Sequence, residues 1–547
     1  MNKIVLLIFA MTFIVFLSAD PVPPVRMCAE WEPANGTLIR WPLGIPAQLV
    51  IELAEDDTLY TIVEDHVEEV QAINTYTSWN VNMEHCRFIY AETYSHWTRD
   101  WGPVSIFDGN GEWAIADPFF DGYPWVPGGR DWSVDDAVNA EVAEYFGAEN
   151  YSFPAYVTGG NIMTDGHGTA FSSVQMVNEN LPIMSEEDFF EYASDYLGIT
   201  AYHIVSNAEN HGIQHIDCSS KLLDEETILH KELPDWHPEY NRIETIADEL
   251  RTLTNCYGRP YNIVRIFCDV YAGNSAAAYT NSLILNKKVF LPLFGIESDD
   301  AAIETYQNAM PGFEVIGFFY ADWYYYDALH CRTRGIFDRY MLRITHRRLD
   351  AELPEADLYE ITTIIDDRSE AGLIEDASFI MWKTSTENTW NSVLLEENAD
   401  QNTYSANIPG PTIGTEIQYY ITARDYSGRL ETLPRTAPNG FYSFTIIEDN
   451  EADEEIAQPV VINLTNYPNP FNPSTVISFK LNTEITEYTE LRIYNIKGQL
   501  VDILPVALSG VEGRGKVIWN ARKHTSGIYF YKLNLPNSPV KKMIFIK

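Results

Sequence analysis

From residue 27 to about residue 350, short β-branched or aromatic runs alternate with stretches whose apolar residues recur at helical spacing, and beyond Pro354 the helical spacing stops. Runs at 37–42, 86–92, 104–108, 202–206, 261–267, 282–286, 288–294 and 313–320 are bounded by turn residues and predict strands. Between them, 58–74, 134–146, 186–197, 239–253 and 298–310 predict helices. This alternation predicts an α/β domain over residues 27–350, built from repeated βαβ-like units with its functional residues on loops at strand ends. From 356 to 447 the strand-like runs follow one another at regular spacing with turn signals between them, which predicts a small immunoglobulin-like sandwich. An acidic stretch at 448–458 reads as a solvated linker. Residues 461–547 then predict a second all-β module.

Residues 1–19 hold one lysine followed by an apolar run ending in Ser18 and Ala19, the pattern of a secretory signal peptide and too short for a comfortable membrane span. No later stretch is long and apolar enough to cross a bilayer, so export is the expectation. A net charge of −43, from 79 acidic and 36 basic residues, argues against nucleic acid or an anionic membrane surface as partner and favours a cationic ligand. The 6 cysteines are scattered and match neither a dense disulfide framework nor a CxxC metal site. Neither a metal nor an organic cofactor is expected.

Cys331 stands between His330 and Arg332, and a cationic neighbourhood is expected to lower a thiol pKa and expose the nucleophilic thiolate. A lone cysteine is more often simply buried; the company upstream changes the reading. Asp100 lies in HWTRDWGPVSIF, Gly160 and Asn161 in YVTGGNIMTDGHGTAF, His215 and Asp217 in HGIQHIDCSSKLLD, and Asn281 in YAGNSAAAYTNSLILN. In an extended segment His215 and Asp217, two apart, project from one face. Taken singly, Arg99–Asp100 is readable as a surface ion pair, the glycines as hairpin turns and His215 as a structural histidine. Together these residues supply the parts that hydrolysis of a guanidinium group needs. Asp100 and Asp217 can hold a planar cation in a fork. Cys331 can attack its central carbon, His215 can protonate the leaving ammonia and then activate water, and Asn281 can hold the cysteine. Aromatics around Trp97, Trp101 and 320–326 would exclude water.

At these residues the chain resembles the bacterial peptidylarginine deiminase and agmatine deiminase family of the guanidino-group modifying superfamily. The resemblance runs through CAEWEPANGTLIRWP, WTRDWGP, TGGNIMTDGHGT, HIDCSSKLLD, AYTNSLILN and LHCRTRGIFD. It implies a five-bladed α/β propeller (pentein) with Cys331 as nucleophile, His215 as general acid and base, Asp100 and Asp217 as guanidinium-binding carboxylates and Asn281 as active-site asparagine. Trp97, Trp101, Gly160, Asn161 and Arg130 complete the expected substrate-binding set. The final segment resembles the C-terminal sorting domain of type IX secretion through YPNPFNPSTVISF, IYNIKGQLV and SGIYFYKL, which implies a secretion-machinery partner and a secreted or surface-anchored product. The glycine pair before Asn161 resembles the peptidyl-arginine branch, which makes citrulline. Arg130 stands alone where that branch uses arginines to bind a terminal carboxylate. The competing readings are an agmatine or free-arginine deiminase, a non-enzymatic surface adhesin and a cysteine protease.

Overall fold

The computed structural model describes residues 20–125, 132–209, 212–400, 402–448, 461–481, 489–506, 514–534 and 538–547. The signal peptide expected at 1–19, Arg130 and all but the first residue of the acidic linker lie outside the described residues.

The first region is an α/β fold that repeats one unit: an antiparallel pair of strands, a helix, and a third strand parallel to the second. Ser220–Leu222 pairs antiparallel with Thr227–Glu232, the helix Tyr240–Arg251 crosses over, and Asn262–Phe267 returns parallel. The same order recurs in Leu283–Leu285, Lys288–Leu293, Ser298–Ala309 and Glu314–Phe319. It recurs again in Met163–Thr164, Thr169–Ser173, Glu186–Leu197 and Ala201–Val205, and in Val104–Phe107, Trp113–Phe119, Val138–Phe146 and Glu149–Tyr156. In the remaining sheet Arg334–Phe337 returns to pair antiparallel with Ala34–Arg40, so the strand just after Cys331 is seated beside one of the first strands of the region.

Local chemistry explains most of these elements. In Glu186–Leu197 a reciprocal capping box between Ser185 and Asp188 starts the helix and left-handed Gly198 ends it. One expected helix is corrected. Residues 58–74 are not continuous: Thr58–Val63 is a parallel strand between Ala34–Arg40 and Cys86–Tyr90, and the helix is His66–Ser78. Every residue of this strand after Thr58 is buried, so both of its faces are covered, and its near-continuous apolar run imitates a helical segment. Asp65 marks the true start, accepting the backbone N–H groups of Val67 at 2.7 Å and Glu68 at 3.0 Å.

The second region is all-β. Two sheets, one containing Leu342–Thr345 and Leu358–Asp367 and the other Phe379–Thr384 and Glu416–Arg424, bury a common core around Ile361, Ile380, Ile417, Ile421 and Phe444. Arg435 ties it to the first region by donating to the Trp31 carbonyl at 3.0 Å, and Arg429 does so through Asp338 at 2.9 Å. A third region of two sheets closes on Ile477, Ile493, Trp519 and Tyr531. Among the described residues no helix is long and apolar enough to cross a membrane.

Candidate active site

The repeated unit places the expected site residues. Ahead of each first hairpin strand the chain makes one tight turn: Thr98–Trp101 before Val104, Gly159–Asn161 before Met163, Ile216–Cys218 before Ser220, Ala278 to Asn281 before Leu283, and His330–Arg332 before Arg334. Five equivalent corners therefore carry Asp100, Gly160, His215 with Asp217, Asn281 and Cys331. The segment around His215 and Asp217 is not extended as expected. His215 is extended at the edge of a 3₁₀ turn, and that turn brings both side chains inward.

Gly160 shows how tightly these corners converge. A Cβ built on it would stand 2.6 Å from Asp100 Oδ1, 2.8 Å from His215 Nδ1 and 3.1 Å from Asp217 Oδ2. Only glycine leaves that point empty, and its N–H donates to Asp100 Oδ1 at 3.0 Å. His215 Nδ1 lies 3.6 Å from Asp100 Oδ1, and neither imidazole nitrogen makes a hydrogen bond among the described residues. Cys331 Sγ lies 3.9 Å from Asp217 Oδ2. Asn281 grips the cysteine from two directions: its Nδ2 donates to Sγ at 3.2 Å and to Asp217 Oδ2 at 3.1 Å, and its Oδ1 accepts the Cys331 N–H at 3.3 Å. Beside these groups is a cavity of about 120 Å³ lined by Trp97, Asp100, Tyr123, Ile213, Tyr326, Asp327 and Cys331.

The electrostatics correct one expectation. The cations next to Cys331 in sequence turn away from its sulfur. Arg332 pairs with Asp327 at 2.8 Å, Arg334 donates to the Pro103 carbonyl at 2.9 Å, and His330 bridges Asp217 Oδ2 at 2.7 Å and Glu30 Oε2 at 2.8 Å. What surrounds the sulfur is acidic. Burial first, and then Asp217 and Asp100, push the Cys331 thiol well above its ordinary pKa. Burial and the Asp217 charge raise Asp100 to about 8. Burial also favours the uncharged form of Asp217, but the His330 hydrogen bond and charge, with His215 and Arg99, outweigh it and hold that carboxyl below its usual value. Burial lowers His215 to about 4. These shifts favour the uncharged thiol and the uncharged His215 imidazole beside an ionised Asp217.

A family model described as Porphyromonas-type peptidyl-arginine deiminase matches residues 26–336, more than half of the chain. The chain belongs to that family. A second model, the secretion system C-terminal sorting domain, matches residues 465–547, so the deiminase region is followed by a type IX sorting domain, which points to a secreted or cell-surface destination and to the secretion machinery as partner. A relative in Yersinia pseudotuberculosis named "Putative agmatine deiminase" is 26% identical over 330 residues, 53% of this chain and 89% of the relative. One of the same name in Mycoplasma mycoides is 26% identical over 328 residues at the same coverage. Among solved structures, the agmatine deiminase of Enterococcus faecalis matches with a TM-score of 0.51 at 19% identity, over 58% of this chain and 96% of that one, a likeness of fold.

Within this member of the deiminase family the other expected residues divide. Trp97 lines the cavity. Trp101 does not; it is buried in an apolar cluster with its indole N–H on Ser95 Oγ at 2.9 Å. Asn161 acts on the backbone, its Oδ1 accepting from Ser173 and Ile216, each at 3.0 Å, and so fixing the His215 turn. Several residues escaped sequence reading. Tyr123 donates a hydrogen bond to Asp100 Oδ2, Asp327 forms part of the cavity wall, and Glu30 anchors His330. Tyr123 sits in a stretch with no periodicity of its own, and Glu30 lies inside CAEWEPANGTLIRWP, where nothing in the residue order pointed to His330 as its partner. Asp327 was legible only as one acid in a run of tyrosines. None of the 6 cysteines is in a disulfide, and among the described residues no group of three or more His, Cys, Asp or Glu side chains is arranged around a metal.

Proposed function

We propose that this protein is an exported cysteine hydrolase that deiminates peptidyl-arginine, giving citrulline and ammonia. The observation that carries the reading is the meeting of Asp100, His215 and Asp217 around the empty Cβ position of Gly160, with Cys331 Sγ 3.9 Å from Asp217. A guanidinium entering this pocket supplies the missing positive charge and gives Asp217 and Asp100 a planar, multiply donating partner. It also lowers the cost of ionising Cys331, whose proton passes to His215. The thiolate attacks the guanidino carbon, a C–S bond forms, and the adduct is tetrahedral. His215 returns the proton to one nitrogen, the C–N bond breaks and ammonia leaves, so the carbon is held on sulfur as a thiouronium. His215 then takes a proton from water, hydroxide adds to the carbon, and the C–S bond breaks to release a ureido product and regenerate the cysteine. In this scheme Asn281 orients Sγ throughout, and Trp97 helps exclude water.

The same reading takes the five sheets of three or four strands in residues 27–350 as blades of a five-bladed propeller, 356–447 as an immunoglobulin-like sandwich, 448–458 as a linker and 461–547 as the exported-protein tail, also sandwich-like. The decisive experiment is ammonia release by wild type and Cys331→Ala across agmatine, free arginine and peptides with internal or terminal arginine. Peptide turnover that vanishes in Cys331→Ala is expected; unchanged turnover in that variant discards the mechanism. Agmatine deiminase is the second reading, supported by the names of the relatives, and faster turnover of agmatine to N-carbamoylputrescine than of any peptide would establish it in place of the first. An adhesin gives no turnover at all, and a cysteine protease cleaves the peptide bond instead.

A further inference from the structure

Behind the catalytic corners lies a second cavity of about 40 Å³, whose wall includes Cys28, Glu30, Arg99, Ser105, Thr164, Lys221 and Arg334. Three of these are cations, all more than nine-tenths buried: Arg99 is 7% exposed, Lys221 2% and Arg334 5%. A single carboxylate faces them, and its oxygens are already engaged. Glu30 accepts from Lys221 Nζ at 2.8 Å, from the Ile284 N–H at 2.8 Å and from His330 at 2.8 Å, while Arg99 Nη2 stands off at 3.8 Å. Nε and Nη2 of Arg99 have no hydrogen-bond partner among the described residues, and neither has Ser105 Oγ.

A buried guanidinium with two unused nitrogens beside a second guanidinium and an ammonium is costly unless something negative joins them. The titration behaviour agrees with an excess of positive charge. Burial, and then the Arg99 charge, bring Arg334 down to about 9, and burial holds Lys221 below its ordinary value. A water needs roughly 10–15 Å³ of such space, so a cavity of about 40 Å³ has room for one monatomic anion with about two waters beside it. From the cation count, the unused donors and the volume we infer that this cavity is a binding site for a small monovalent inorganic anion of the halide class, held by Arg99, Ser105 and Lys221. Its occupancy is felt in the active site through Glu30 and His330, which connect the cavity wall to Asp217 in two hydrogen bonds.

The test does not depend on the identity of the guanidino substrate. The full chain is melted at constant ionic strength while gluconate is exchanged for chloride or bromide, and crystals grown in bromide are measured at the bromine absorption edge. A saturable rise of several degrees in Tm with either halide, and an anomalous peak touching Arg99 and Ser105, are expected. Ser105→Val, which fills the cavity and removes the hydroxyl, abolishes the saturable shift; the milder Ser105→Ala weakens the apparent affinity at least threefold. Equal melting in gluconate and halide, or bromide found only at surface positions while water fills the cavity, overturns the inference.

Discussion

Replacing Gly160 by alanine tests the convergence directly. The added methyl would lie 2.6 Å from Asp100 Oδ1, 2.8 Å from His215 Nδ1 and 3.1 Å from Asp217 Oδ2. Taking about 3.4 Å as an ordinary contact, the carboxylate of Asp100 must retreat by roughly 0.8 Å, the imidazole by roughly 0.6 Å and Asp217 by roughly 0.3 Å. The two carboxylates are held from behind: Asp100 by Tyr123, and Asp217 by His330 and Asn281. The strain of such overpacking is about 1–3 kcal/mol, which a domain of this size tolerates. Catalysis is less forgiving, because misplacement near 1 Å costs on the order of 100-fold in rate, or about 2.7 kcal/mol of transition-state stabilisation.

The assay is ammonia release on the best substrate of the panel, run beside a thermal melt. Gly160→Ala is expected to stay folded, with a Tm lowered by a few degrees and kcat/KM lowered about 100-fold. Gly335→Ala is the control. Gly335 lies in the strand after Cys331, and a Cβ there meets nothing within 4 Å, so both readouts should be near wild type. A Gly160→Ala protein that turns over within about threefold of wild type would refute the claim that these three side chains act at the place where they meet.

Asp100→Asn should raise Tm relative to wild type by an amount that grows from pH 5 to pH 8. Unfolded wild type loses the Asp100 proton near pH 4, whereas the folded form keeps it to about 8, so each pH unit between them favours unfolding of the wild type by up to about 1.4 kcal/mol, and asparagine has no such slope. A constant Tm difference would contradict the raised carboxyl. His330→Ala leaves the buried Asp217 and the partly buried Glu30 without their bridge, and the denaturant midpoint should report a loss of about 3 kcal/mol; an unchanged midpoint would mean that the bridge carries no load. Turnover should fall on both sides of a pH optimum, since it needs Cys331 ionised while His215 holds a proton; a flat profile is incompatible with that pairing.

The repeated unit was legible in the sequence because hairpin strands and amphipathic helices leave different periods. The strand Thr58–Val63 was not, because an element buried on both faces shows no period that separates strand from helix. The residues of the site were legible by type and setting, but their meeting is a property of the repeat: each stands at the same corner of a different unit. Gly160 and Asn161 show the difference, one glycine being required by three side chains remote in sequence and one asparagine by two backbone amides. The error over Cys331 has the same origin. Adjacent residues on a 3₁₀ turn diverge, so His330 and Arg332 deliver their charge to Asp217 and Asp327, and the sulfur is left facing acids contributed by other units. That inversion couples activation to recognition. Burial and the acids around it favour the protonated thiol in the empty pocket. On the proposed mechanism, a ligand that brings its own positive charge between Asp100 and Asp217 would lower the cost of making the thiolate, so the protonation of Cys331 would select for a guanidinium alongside the shape of the pocket.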